Sequence, residues 1–118
     1  MGMDDVIATY LQAWNETDES SRRDLLGQVW GEGATYQDPT ASVAGAEELV
    51  QHIGRFYEQR PGSRFELGSR VDGYADNVRF RWRLLDAAGA QASEGTDFVR
   101  LTADGRIASV TGFFGPLD

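Results

Sequence analysis

The spacing of apolar residues changes period once along this chain, from near four in the first half to two in the second. From Asp4 to Asn15 the apolar positions are Val6, Ile7, Tyr10, Leu11 and Trp14, which share one face of a helix. Thr17 and Asp18 offer caps for a second helix from about Ser20 to Trp30, with Leu25, Leu26, Val29 and Trp30 on its buried face and Gly31 and Gly33 as its end. Ala34 to Asp38 reads as a short extended piece stopped by Pro39, and a third helix is expected from Ala46 to Tyr57. Beyond Pro61-Gly62 the pattern alternates. Phe65, Leu67 and Val71 alternate with Glu66, Arg70 and Asp72, and Val78, Phe80, Trp82 and Leu84 with Arg79, Arg81 and Arg83. Turns at Asp86–Gly89 and Asp104-Gly105 separate two further strands, Gln91 to Leu101 and Arg106 to Phe114. Helices followed by a run of antiparallel strands define an α+β domain.

The chain has 118 residues, the size of one domain with one core, and residues 1–118 are read as a single unit. No apolar run approaches the roughly 20 residues of a membrane span, so no membrane partner is expected. The start, Met1-Gly2-Met3-Asp4-Asp5, lacks the basic and apolar stretches of a secretory leader. Cysteine is absent, which excludes disulfides and thiolate metal sites and fits a reducing, cytoplasmic compartment. The single histidine, His52, cannot build an imidazole zinc site, and no calcium-loop spacing occurs, so neither a metal nor another cofactor is expected. A net charge of −8 argues against a nucleic-acid partner.

Three polar residues interrupt the apolar pattern: Tyr10, Asp38 and Asp97. A carboxylate on the inner face of a strand is costly unless it is paired, protonated or used. Strand parity gives the direction of Asp97. Matching apolar to apolar across the Asp86–Gly89 turn sets the Val78, Phe80 and Trp82 face against Gly95, Asp97 and Val99, and sets the arginines against Glu94 and Thr96. Asp97 then points inward among Phe80, Trp82 and Val99; a slip of one residue would reverse the assignment.

These features together resemble the nuclear transport factor 2-like superfamily, with its SnoaL-like polyketide cyclases and ketosteroid isomerases. The resemblance spans nearly the whole chain and includes the ending Thr111-Gly112-Phe113-Phe114-Gly115-Pro116. It implies a cone-shaped, cystatin-like fold in which a strongly curved antiparallel sheet wraps around the helices and leaves an apolar pocket. Asp38-Pro39 resembles the Asp-Pro pair that carries the isomerases' catalytic base. Asp97, ahead of Gly105-Arg106-Ile107, is similar to their protonated oxyanion-hole aspartate, and Tyr10 to their tyrosine donor. The stretch between Tyr10 and Asp38 is longer here by a few residues.

What the resemblance implies is an isomerase or cyclase acting on an apolar carbonyl compound, with Asp38 as base and Asp97 and Tyr10 as donors. Trp14, Tyr36, His52 and Phe56 would line its ligand site, with Phe80, Trp82, Val99 and Phe113 completing the walls. Plainer readings stand beside this one. Asp38 before proline also suits a turn, Tyr10 a helix core, and His52 a solvated helix edge. The same pocket could serve a non-catalytic binding module. Epoxide hydrolysis would need an arginine inside the pocket between two acids. The outer sheet face, with Phe98 among Glu94, Thr96 and Arg100, suits a homodimer.

Overall fold

A computed structural model describes residues 2–116. The described residues form three helices and seven strands: α1 (Met3–Asn15), α2 (Glu19–Val29), β1 (Trp30–Asp38), β2 (Ala41–Ala44), α3 (Ala46–Gln59), β3 (Arg64–Leu67), β4 (Asp72–Tyr74), β5 (Asn77–Leu85), β6 (Gln91–Leu101) and β7 (Ile107–Phe114). Asp4 and Asp5 place negative charge at the positive end of α1. Asp18 caps α2 by accepting from the Ser21 amide at 2.9 Å. No helix among the described residues is long and apolar enough to cross a membrane.

The strands make one open sheet in the order β2-β1-β7-β6-β5-β3, with β4 also pairing with β5. The β5, β6 and β7 run is antiparallel, as the turns require. The β1–β7 pair is parallel, so the sheet is mixed rather than wholly antiparallel. The reason lies in the connection: β1 precedes α3, and the chain returns to its free side only with its last described strand. Register shifts interrupt the ladders of β1–β7, β5–β6 and β6–β7, and irregularities of this kind bend a sheet.

Two expectations about the first half need correction. Trp30 is not the last buried residue of α2; it opens β1, which runs on without a break to Asp38. Gly31 does not terminate the helix. It lets β7 come close, since a Cβ there would stand 2.6 Å from the Ile107 carbonyl oxygen. β2, absent from the sequence reading, folds back on β1 through the Pro39-Thr40 turn.

One core lies between the sheet and the helices, built around Ile7, Leu26, Leu49, Ile53, Val99 and Ile107. The opposite face of the sheet carries Arg79, Arg81 and Arg83, paired with Asp72, Glu94 and Glu66, and the exposed rings of Phe98 and Phe113. A single charged side chain crosses the helical layer. Arg22 is buried, and its guanidinium donates to the carbonyls of Glu16 (3.0 Å), Val50 (2.9 Å) and Thr17 (3.2 Å).

Candidate active site

The site begins with the pairing of β5 and β6. Val78 faces Val99, Phe80 faces Asp97, and Trp82 faces Gly95, while Arg81 and Arg83 face Thr96 and Glu94. Asp97 therefore points inward and is 7% exposed. Gly95 is what allows its neighbour to reach it. A Cβ at Gly95 would lie 2.2 Å from the Trp82 ring, so only glycine lets the indole lie flat across β6. From there Trp82 Nε1 donates to Asp97 Oδ1 at 3.0 Å. Burial pushes the Asp97 carboxyl up to about 7; the Trp82 bond opposes this and the Asp38 charge adds to it.

Asp38 ends β1, on the far side of β7 from Asp97. Its Oδ1 accepts from the Thr40 amide and hydroxyl, both at 2.7 Å, and its Oδ2 accepts from the Tyr36 hydroxyl at 2.5 Å. The residue between the two acids is Gly112. A Cβ on it would stand 3.0 Å from Asp97 Oδ1 and 3.5 Å from Asp38 Cβ. Two strand spacings, roughly 10 Å, separate the two backbones.

Tyr10 reaches the same place from α1. Its side chain is 1% exposed, its ring stacks on Trp30 at 6.1 Å, and its hydroxyl has no hydrogen-bond partner among the described residues. Burial pushes its phenol well above the usual range, and the Asp97 charge adds to the shift. A buried hydroxyl without a partner gains nothing for stability. Tyr10→Phe is therefore expected to unfold in urea with a midpoint unchanged or slightly higher, within about 1 kcal/mol of wild type.

Tyr10, Asp38 and Asp97 all open onto one cavity of about 530 Å³. Trp14, Tyr36, His52, Phe56 and Trp82 line it as well. Trp14 sits at its aromatic centre, with Tyr36, His52, Phe56 and Phe65 rings within 6.0 Å. Burial lowers the His52 pKa, the nearby Asp38 charge raises it, and Arg55 lowers it.

Three expected lining residues lie elsewhere. Phe80 and Val99 belong to the packed core and do not border the cavity. Phe113 is 54% exposed on the outer face, and Phe114 lines the cavity instead. Parity explains the exchange: Gly112 faces the two acids, so Phe114 shares its side and Phe113 does not. The sequence reading also missed Thr40, Phe65, Arg55, Gln59 and Arg60 in the wall. Arg55 and Gln59 lie with His52 and Phe56 on one face of α3, at i, i+3, i+4 and i+7, a spacing visible in the sequence, and Arg60 follows as the helix C-cap. Among the described residues no three His, Cys, Asp or Glu side chains gather to hold a metal ion.

Three helices against an open mixed sheet, with a cavity between them, define an α+β domain. A family model for the SnoaL-like domain matches residues 7–110, and the chain belongs to that family. It is similar to a candidate isomerase of the SnoaL-like family from Agrobacterium tumefaciens, at 38% identity and a TM-score of 0.92, over 98% of this chain and 100% of that one. An NTF2-like protein from Exiguobacterium sp. 255-15 shares the fold at 21% identity and a TM-score of 0.73, over 93% and 98% of the two chains. So does a candidate SnoaL-like polyketide cyclase from Jannaschia sp. CCS1, at 19% identity and a TM-score of 0.69, over 92% and 84%. No curated protein matches the chain.

Proposed function

We propose that this protein is an acid–base enzyme that enolises an apolar carbonyl compound, as an isomerase or a cyclase. The observation that carries the reading is the contrast between two acids on one cavity floor. Asp97 is walled by aromatic rings and pushed up to about 7, whereas three donors converge on Asp38. In this reading Asp38 takes a proton from the carbon beside the carbonyl, using the Oδ2 lone pair that Tyr36 leaves free. Protonated Asp97 and the unpartnered Tyr10 hydroxyl donate to the oxyanion that forms. Return of the proton to another carbon gives isomerisation; attack of the enolate carbon on a second carbonyl gives ring closure. The names borne by the Agrobacterium and Jannaschia proteins agree with both outcomes.

A second reading has an observation of its own. The Thr40 bonds tie Asp38 Oδ1 into a turn, as in a structural aspartate, and fit a pocket that binds without reacting. Epoxide hydrolysis is disfavoured, because Gly112 stands between the acids and Arg79, Arg81 and Arg83 are engaged on the outer face.

Deuterium exchange at the α-carbon of 2-tetralone, followed by proton NMR, separates the first two readings. The wild type is expected to exchange faster than buffer, and Asp38→Asn to lose about 100-fold or more of that rate while staying folded. A wild-type rate equal to buffer, or an unchanged rate in Asp38→Asn, would leave the binding-module reading.

A further inference from the structure

The outer half of the cavity is basic in an acidic protein. The chain carries 19 acidic residues against 11 arginines and lysines. Five arginines, Arg23, Arg79, Arg81, Arg83 and Arg100, each pair with an aspartate or glutamate, whereas the exposed Arg64, Arg70 and Arg106 have no ion pair among the described residues. Arg55 and Arg60 line the cavity instead, and neither has a carboxylate within ion-pairing distance among the described residues. Asp38 and Asp97 are the only acids in the described wall, and both sit on the floor. Arg60 is held in place by the Phe56 ring, its guanidinium carbon 4.8 Å from the ring centre. Gln59 adds a neutral donor to the same wall.

α3 sets the distance between this basic rim and the floor. His52 lies beside the Tyr36 ring, 5.7 Å between centres, and Tyr36 holds Asp38. From His52 the helix rises about 4.5 Å to Arg55 and about 10 Å to Gln59, and Arg60 follows as its C-cap. A ligand that meets Asp97 and Tyr10 with its carbonyl therefore presents its other end to two planar cations staggered along the wall, Arg55 about 5 Å beyond His52 and Arg60 about 10 Å or more beyond it.

Resting on the pocket reading above, we propose that the ligand is an anionic carbonyl compound, a hydrophobic skeleton with a carboxylate at the end remote from the reacting carbonyl. Arg55 and Arg60 bind that carboxylate. Guanidinium forks suit a planar carboxylate, and the chain's −8 charge would otherwise repel an anion from the mouth. The two arginines thus choose among apolar carbonyl compounds and fix which end enters first.

A matched pair of fluorescent naphthols tests this. 2-Naphthol imitates an enol, and 6-hydroxy-2-naphthoate adds a carboxylate at the far end. In fluorescence titrations at low ionic strength, the wild type is expected to bind the naphthoate about tenfold or more tightly than 2-naphthol. In the Arg55→Gln/Arg60→Gln double variant the ratio should fall to near one, with 2-naphthol affinity changed by less than about twofold. Raising the salt should narrow the wild-type ratio, because the rim is exposed. Equal binding of the two naphthols, a preference that survives in the double variant, or binding of neither overturns the proposal. Failure here is separable from failure of catalysis. 2-Naphthol bound without a carboxylate gain removes the anion site and leaves enolisation standing. An arginine-dependent preference in a protein that exchanges no tetralone deuterium removes enolisation and leaves the anion site.

Discussion

Asp97→Asn is expected to be more stable than the wild type at pH 8, by about 2–4 kcal/mol, and to lose that advantage on acidification. The Asp97 carboxyl is pushed up to about 7 in the folded protein, against 3.8 as its ordinary value. Below pH 3.8 it is protonated in the folded and unfolded chains alike, and burial carries no ionic penalty. Between pH 3.8 and 7 the unfolded chain releases the proton while the folded one keeps it, so wild-type stability falls as pH rises. Above 7 both forms are ionised and the full penalty is in place. Asparagine keeps the shape and the Trp82 acceptor but cannot ionise, so it removes the penalty. Thermal melts at pH 8 should show the variant about 8–16 °C higher, with the two curves converging near pH 4. Equal melting temperatures at both pH values would mean that Asp97 is not buried as an acid. Activity should follow the same group: the enolisation rate is expected to fall as pH rises through 7, because ionised Asp97 can no longer donate.

The largest loss of stability is expected at Arg22. Its guanidinium joins the end of α1, the link into α2 and the middle of α3 through three carbonyl oxygens. The Glu16 and Thr17 carbonyls it meets lie at the end of α1, where the helix leaves acceptors without partners and gathers partial negative charge. Methionine in its place fills similar volume and strands all three carbonyls in a dry site. Arg22→Met should therefore lose about 3 kcal/mol in urea unfolding, a large share of the stability of a domain this size. Arg22→Lys should recover less than half, since one ammonium cannot span three acceptors set for a planar fork. A loss below about 1 kcal/mol in Arg22→Met would show that water replaces the guanidinium.

The inward turn of Asp97 was legible because period two leaves only two faces, and the alternative would have exposed Val99 and Leu101. The parallel seam was not legible, since a strand's amino acids do not record which distant strand lies beside it or in which direction. Arg22 shares a helical stripe with Leu26 and Val29, yet the sequence reading left it off the buried face, because a charge is rarely buried and only three-dimensional carbonyl positions show its partners. Trp14 and Phe56 followed from helix faces, whereas Phe113 and Phe114 could be told apart only by the parity that Gly112 sets. Arg55 was visible on a face of α3 and Arg60 just past its end, but the pair carries meaning only once a cavity is seen to open along them.

The parallel seam also governs the order in which the molecule can be assembled. β1 and β6 carry the two acids, and the strand that holds them at a fixed separation is β7, the last of the described strands. Joining Thr35 to Ser109 and Tyr36 to Val110 closes a loop that contains α3 and most of the sheet. Such distant pairings form late and slowly, because the intervening chain must give up its freedom first. The helical layer and the β5–β6 hairpin rest on nearer contacts, whereas bringing Asp38 and Asp97 together depends on the most distant pairing in the sheet. The relative placement of the two acids is therefore fixed only once β7 has docked between their strands.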